Sequence, residues 1–356
     1  MNELTNILTE TANRLLRDHS EKEVLQQAEC GTWPEALWQA LEENGLTQPL
    51  VSEEQGGVGA SWQDAFVITY AAGYWRAPVP LPETIASSWL LSRAGLDVPL
   101  GPLTLVDVDD HLELSGSRIS GEAGAVPWGS RANQSIVTIN AEDKWQIVAL
   151  AHDSGNAVTD FNIAREPRDC LTFDGANCDD VATLPVQSDI SPARLLGALV
   201  RSSQMAGAME RAVEMAVAYA GEREQFGRPI SKFQAIQQML AIAAAKSVEA
   251  RMATEIAFRA MDRAGDDLRR AEPDIAAAKV VCGEAVETIT DITHQVHGAI
   301  GFTYEHELHF TTRRLWSWRG EFGAEAFWAE RLGRVALERG ALNLWPDLTA
   351  RQRSEV

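Results

Sequence analysis

A mainly α-helical chain with one small β domain is the fold class this sequence predicts, and two switches of hydrophobic periodicity predict it. Residues 1–100 carry apolar positions at helical spacing, residues 101–187 carry short alternating runs, and residues 188–356 return to helical spacing over long segments. A third observation is length: 356 residues exceed one ordinary core, so two or three units are expected. The expected order is an N-terminal helical domain (1–100), a middle antiparallel, β-barrel-like domain (101–187) and a C-terminal four-helix bundle (188–356).

In the first unit, Leu4, Ile7, Leu8, Leu15 and Leu16 are spaced for one helix. Trp33-Pro34 opens another that includes Leu37, Trp38 and Leu41. After a Gly56-Gly57-Val58-Gly59 turn, a helix is expected from about Trp62 to Tyr74, and one more after the Pro78, Pro80 and Pro82 break, ending near Gly95. The middle unit reads as strands at LTLVDV, LELSGSRI, SIVTI, WQIVAL and DCLTF, punctuated by Gly, Asn and Asp. Pro185 and Gln187-Ser188-Asp189 mark its exit. From Ser191-Pro192 onward, four long helices are expected, at roughly 192–224, 231–264, 272–298 and 321–340, with alanine-rich faces that permit close packing.

Composition narrows the partners. Fifty-one acidic residues against 31 basic ones give a net charge of −20, which repels nucleic acid and anionic membrane. Cys30, Cys170, Cys178 and Cys282 show no metal-ligand spacing; with no secretory leader pattern, they read as reduced cysteines of a cytoplasmic protein. No run of about 18 apolar residues is present, which argues against a spanning helix.

Several stretches could carry chemistry, each with a plainer reading beside it. The Gly56–Gly59 turn neither follows a strand nor has a lysine at the phosphate-loop position, so it reads as an interhelix turn. His294 and His297, with Asp291 one turn earlier, share a helix face but match no zinc spacing, so no metal is expected. No GxSxG elbow supports hydrolysis. In AYAGEREQFGRPISKFQAIQ (218–237), Gly227 can end a helix, Pro229 stops its continuation and Ser231 can cap the next. Arg223 is then either a solvated last-turn cation or a ligand-facing one. Gln295 to Phe302 ends a helix in small residues, where a ligand can approach backbone closely. Glu321 stands among Trp316, Trp318 and Phe322 at the start of a helical pattern. An apolar surround would raise its pKa from about 4.3 towards that of a general base, and a first-turn acid on the helix dipole is the alternative.

Taken together, PLVSEEQGGVGASWQDA (49–65), AYAGEREQFGRPISKFQAIQ (218–237) and HQVHGAIGFTYEHELHFTTRR (294–314) resemble the acyl-CoA dehydrogenase family, over almost the whole chain. The resemblance implies FAD as cofactor, an acyl-CoA substrate desaturated between its α and β carbons, and an electron-transferring flavoprotein as partner. It also implies that Arg223 reaches across a dimer interface to the FAD pyrophosphate of a neighbour, with Gln225, Phe226 and Gln234 beside it and Gln295, Gly298 and Ala299 against the same cofactor. Glu321 falls at the family's usual base position, although Glu321-Phe322-Gly323 replaces the usual Glu-Gly-Thr, and Gly197-Ala198-Leu199 offers no carboxylate at the alternative base position. The family's flavin-ring segments are replaced by GPLTLVDVDD (101–110) and Ala125–Ser130, leaving Trp128 and Ser130 as ring-side candidates. The short sheet domain resembles one subunit of the heterotetrameric members that degrade sterol side chains, ring acids or dicarboxylic acids. Three functions follow as expectations: a dehydrogenase with Glu321 as base, alone as a homo-oligomer or paired; a non-catalytic subunit completing a partner's FAD site; and an acyl-CoA-binding protein without turnover.

Overall fold

The computed structural model describes residues 3–107, 111–141, 144–178 and 180–350, so the last three residues of GPLTLVDVDD lie outside the described residues. Five helices come first: α1 (Glu3–His19), α2 (Lys22–Glu29), α3 (Glu35–Glu43), α4 (Trp62–Tyr74) and α5 (Leu81–Arg93). α4 starts at its expected residue because a capping box closes there. Asp64 N donates to the Ser61 hydroxyl at 3.2 Å, and Ser61 N donates to the Asp64 carboxylate at 3.0 Å. α2 was not anticipated, since Leu25 is its one buried side chain and eight residues show no period.

The middle unit holds strands β1 (Leu103–Val106), β2 (Leu112–Ser115), β3 (Arg118–Pro127), β4 (Gln134–Ala141), β5 (Lys144–Ala151), β6 (Asn156–Val158), β7 (Arg168–Asn177) and β8 (Asp180–Thr183). They form two four-stranded sheets, ordered β1-β4-β5-β8 and β2-β3-β7-β6. Val137, Val148 and Leu150 of the first sheet share a core with Ile119, Leu171 and Phe173 of the second. One pair departs from the antiparallel expectation: β1 runs parallel to β4, because the chain crosses to the other sheet through β2 and β3 before returning.

The last unit contains α6 (Pro192–Glu222), a hairpin of β9 (Glu224–Gln225) and β10 (Arg228–Pro229), then α7 (Gln234–Ala264), α8 (Glu272–His297), α9 (Leu308–Gly320), α10 (Glu325–Arg339) and α11 (Ala341–Ala350). The fourth helix expected at 321–340 is thereby corrected. α9 precedes it, and α10 begins only at Glu325. The sequence hid α9 because its buried face mixes Phe310, Leu315 and Trp318 with Arg314, so no clean apolar stripe shows. The first and last units are locked at an α4–α6 crossing, where a Cβ on Gly73 would lie 2.0 Å from the Gln204 carbonyl oxygen. One core runs from Leu16 and Trp62 through Leu105 and Ile147 to Leu196, Phe258 and Trp328, so the three units meet rather than string out. Among the described residues, no helix is long and apolar enough to cross a membrane.

Candidate active site and cofactor corner

The structure divides the candidate residues between two places. The first is one end of the C-terminal bundle. α6 ends at Glu222, and the chain turns through Phe226-Gly227 with φ of +53° and +74°, the mirror-image turn favoured by two-residue hairpins. Gly227 thus serves the hairpin rather than a helix end. Ser231 lies in a short 3-10 turn and does not cap α7, which starts at Gln234 without a side-chain cap. Phenylalanine rarely accepts positive φ, yet Phe226 is 92% exposed, so no burial of its own chain compensates the strain. Residues 221–228 are all exposed, and among the described residues the Arg223 guanidinium has no partner. Ala216, Ala220 and Val296 pack with Ile230, Ile236 and Ile292, joining the end of α6, the hairpin, the start of α7 and the end of α8. That small core brings exposed Arg223, Gln225, Phe226 and Gln234 to the same end as exposed Gln295, Gly298 and Ala299. Gly298 takes φ of +62°, which leaves bare backbone at the surface there.

The second place is a cavity of about 820 Å³ between the sheet domain and the end of α9, lined by Gly124–Pro127, Asp160–Asn162, Arg168, Arg194 and Glu321–Gly323. Two of its lining residues, Ala125 and Phe322, hold positive φ without being glycine. Glu321 is here, but its surround is not the apolar one expected. It follows α9 as its C-cap instead of opening a helix. Arg168 grips its carboxylate with Nε at 2.8 Å and Nη2 at 3.0 Å, and Arg201 Nη2 lies 2.8 Å from Oε2. The chain of charges continues inward. Arg201 pairs with Glu83 at 2.5 Å, Arg168 with Glu166 at 3.1 Å, and Glu166 with Arg314 at 3.0 Å, while Trp318 Nε1 donates to Glu166 at 2.9 Å. Burial works against the Arg168 charge, but Glu321 and Glu166 raise its pKa above the ordinary guanidinium value. Burial likewise opposes ionisation of Glu166, and Arg314 and Arg168 hold it below the usual carboxylate range. Beneath α9, burial pushes Lys279 down to about 8, and its Nζ donates to the Arg319 carbonyl at 2.7 Å, fixing the turn that carries Glu321.

Trp128 and Ser130 are not part of this cavity's lining. The Trp128 ring is buried edge-on against Trp33, and both residues line a separate hollow with Thr32 and Pro167. Trp316 also lies elsewhere, beside Ile163, Phe302 and Tyr304. His294 Nε2 meets the Thr312 hydroxyl and His297 Nδ1 the Thr293 carbonyl. Among the described residues, no group of three or more His, Cys, Asp or Glu could hold a metal ion. The sequence reading missed Glu83, Glu166, Arg168, Arg201 and Arg314. The available signal was a lone charge in an apolar stretch, as in GALVRSSQMAGAM, but partners 118 and 153 residues away cannot be read from spacing.

With this geometry in hand, comparison with known proteins is informative. Sequence models of the acyl-CoA dehydrogenase N-terminal and C-terminal domains match residues 2–96 and 195–336. The acyl-CoA dehydrogenase IpdE2 of Mycolicibacterium smegmatis is 28% identical over 319 residues, covering 88% of this chain and 93% of the relative. The fold is that of the ChsE4-ChsE5 complex from Mycobacterium tuberculosis, with a TM-score of 0.83 at 21% identity over 96% of this chain and 99% of that one. It is also that of PigA with FAD and proline, with a TM-score of 0.80 at 16% identity over 96% and 99%. Matched at both ends by the family's own domain models, the chain belongs to the acyl-CoA dehydrogenase family, whose oxidoreductase activity acts on acyl-CoA thioesters.

Proposed function

We propose that the chain is one subunit of a paired, FAD-dependent acyl-CoA dehydrogenase, and that its Arg223 hairpin completes the cofactor site of the neighbouring chain. The hairpin carries this reading: Phe226, at positive φ and 92% exposed with the Phe233 ring edge-on to it, stands beside a guanidinium that has no partner among the described residues. Its chemistry fits a dinucleotide. Arg223 offers a planar fork to a pyrophosphate, Phe226 an aromatic face, and the Gln295–Ala299 strip bare backbone. The chain's own cavity fits the diphosphate poorly. Asp107, Glu122, Asp160 and Glu321 line it, and its two guanidinium groups are already paired, Arg194 with Asp107 at 2.9 Å and Arg168 with Glu321.

FAD, when bound, would supply the acceptor for the hydride of the thioester's β carbon, and an electron-transferring flavoprotein would take up the electrons. In that arrangement, this chain's residues bind and orient the cofactor from across the interface. ChsE4-ChsE5, solved as a complex of two chains, supports pairing with a second family member, and PigA with FAD supports the cofactor. The alternative, Glu321 as α-proton base, is favoured by its place on the cavity wall at 16% exposure. It is opposed by two guanidinium groups that would have to release it.

Arg223→Ala in the co-expressed pair tests the proposal. A charge-assisted bond to phosphate is worth about 1.5–3 kcal/mol, so FAD should be held at least about tenfold more weakly. Lysine should restore only part, lacking the fork. Unchanged flavin absorbance per protein in the alanine variant would return Arg223 to the role of a helix-end cation.

A further inference from the structure

The Arg223 hairpin and the Gln295–Ala299 strip hang from different helices, α6 and α8, and a stack of rings joins them. Tyr219 stands one turn before Arg223, and its carbonyl accepts the Arg223 N–H at 2.8 Å. Its ring lies against the imidazole of His297, the last residue of α8, with centroids 4.8 Å apart and planes inclined by 23°. Gly298 follows directly, so two residues link the arginine to the bare backbone. In the small core at this end, α6 supplies Ala216, Ala220 and Tyr219, and the tyrosine alone has the area to fix the last turn.

The protonation state of His297 follows from its partners. Nδ1 faces the Thr293 carbonyl at 2.7 Å, which can only accept, so the proton is on Nδ1 and the lone pair on Nε2. Nε2 is buried and has no partner among the described residues. His306 meets the same ring at 4.5 Å. The loop carrying His306 is tied to the first unit by Lys22, which donates to the Glu305 carbonyl at 2.9 Å, and by Arg76, paired with Glu307 at 2.8 Å. The titratable and charged groups around the two imidazoles are Tyr219 from α6, His294 on α8, and Lys22, Glu307 and His309 about His306. A proton added at Nε2 would be a buried donor without an acceptor, with its charge beside His306.

We infer that the Tyr219–His297 stack is the positioning element of the cofactor corner, holding the Arg223 hairpin and the Gly298–Ala299 backbone at one separation so that both meet the same dinucleotide. The inference rests on the cross-subunit reading of Arg223. Burial is the main cause that keeps the His297 pKa below its ordinary value of about 6.5, so the stack is whole at neutral pH and opens in acid.

Hydrogen exchange of the full-length chain alone, without FAD, tests the stack apart from the cofactor. Tyr219 is half-buried, so Tyr219→Leu should leave the melting temperature nearly unchanged. In that variant the Arg223 and Ile230 amides, bonded to the Tyr219 and Arg223 carbonyls, should exchange at least about tenfold faster. Tyr219→Phe keeps the ring and should match wild type. In the co-expressed pair, Tyr219→Leu should hold FAD at least about tenfold more weakly at neutral pH. Wild-type retention should fall between about pH 6.5 and 5, whereas Tyr219→Leu retention should be weak and level, having no stack to open. Unchanged hairpin exchange in Tyr219→Leu would overturn the inference. Loss of FAD in Arg223→Ala with full retention in Tyr219→Leu would overturn it as well. Retention by both variants would overturn the cross-subunit reading itself, so the two failures are told apart.

Discussion

Glu321 shows how far a single residue can be read from sequence. Its position near Trp318 and Phe322 was legible from the local sequence. What decides its environment is Arg168, 153 residues earlier, and Arg201 on α6, and no local pattern reports either. The ion-pair geometry makes a prediction that differs from catalysis. Glu321→Gln removes one negative charge from a buried set of three carboxylates and three guanidinium groups, leaving an arginine uncompensated. Breaking such a pair from one side costs about 3–5 kcal/mol, so thermal stability should fall markedly. The folded fraction of the variant pair should still reduce flavin with acyl-CoA at nearly the wild-type rate, followed as anaerobic bleaching. If Glu321 were the base, the same loss of stability would come with a rate loss of about 10²–10⁴-fold in the folded fraction.

Among the elements, the segment from His294 to His309 gathers four imidazoles whose pKa values are all lowered. The end of α8 and the start of α9 place four imidazoles together, with the rings of His297 and His306 centred 4.5 Å apart and His297 stacked on Tyr219. Burial is the main cause that lowers the pKa of His294, His297, His306 and His309, and nearby positive groups including Lys22 and Arg313 add to it. A folded imidazole pKa below the unfolded value of about 6.5 means the unfolded chain takes up protons first as pH falls. Stability from this element is therefore intact above about 6.5 and drains away below it. The carboxylates held low, Glu166 and Glu307, contribute only at more acidic pH. The melting temperature should be steady near pH 7, below the titration of the buried Lys279, and fall from about 6.5 to 5. His297→Gln should shallow that fall, and a melting curve indifferent to pH across this window would contradict the burial account. The sequence displayed these histidines openly. Their stacking depends on the turn at Gly298 and on where α9 begins, and a helix with a mixed charged and apolar face leaves no period from which to read that start.

For the whole molecule, the order of helices, sheets and helices was legible because periodicity is a local property, and the switch from one period to another survives long-range packing. The parallel β1–β4 pair was not, since pairing direction depends on which sheet each intervening strand joins. The Arg223 hairpin was legible as a motif, and its exposed residues are what the proposed second chain would cover. A chain of net charge −20 gains solubility from acidic surface, yet it spends one end of its bundle on Arg223, Arg228 and a 92% exposed Phe226. An exposed aromatic at strained φ persists where something else binds it, and symmetric or pseudo-symmetric pairing supplies that partner in most oligomers. The expected assembly is a dimer or a dimer of dimers with a second acyl-CoA dehydrogenase chain. Light scattering should give that mass for the co-expressed pair, together with stoichiometric FAD. Phe226→Asp should shift the mass towards single chains and release FAD in step, because one residue serves both contacts. A strictly monomeric chain that still holds one FAD would show that the hairpin faces nothing but water, and the cross-subunit role of Arg223 would end with it.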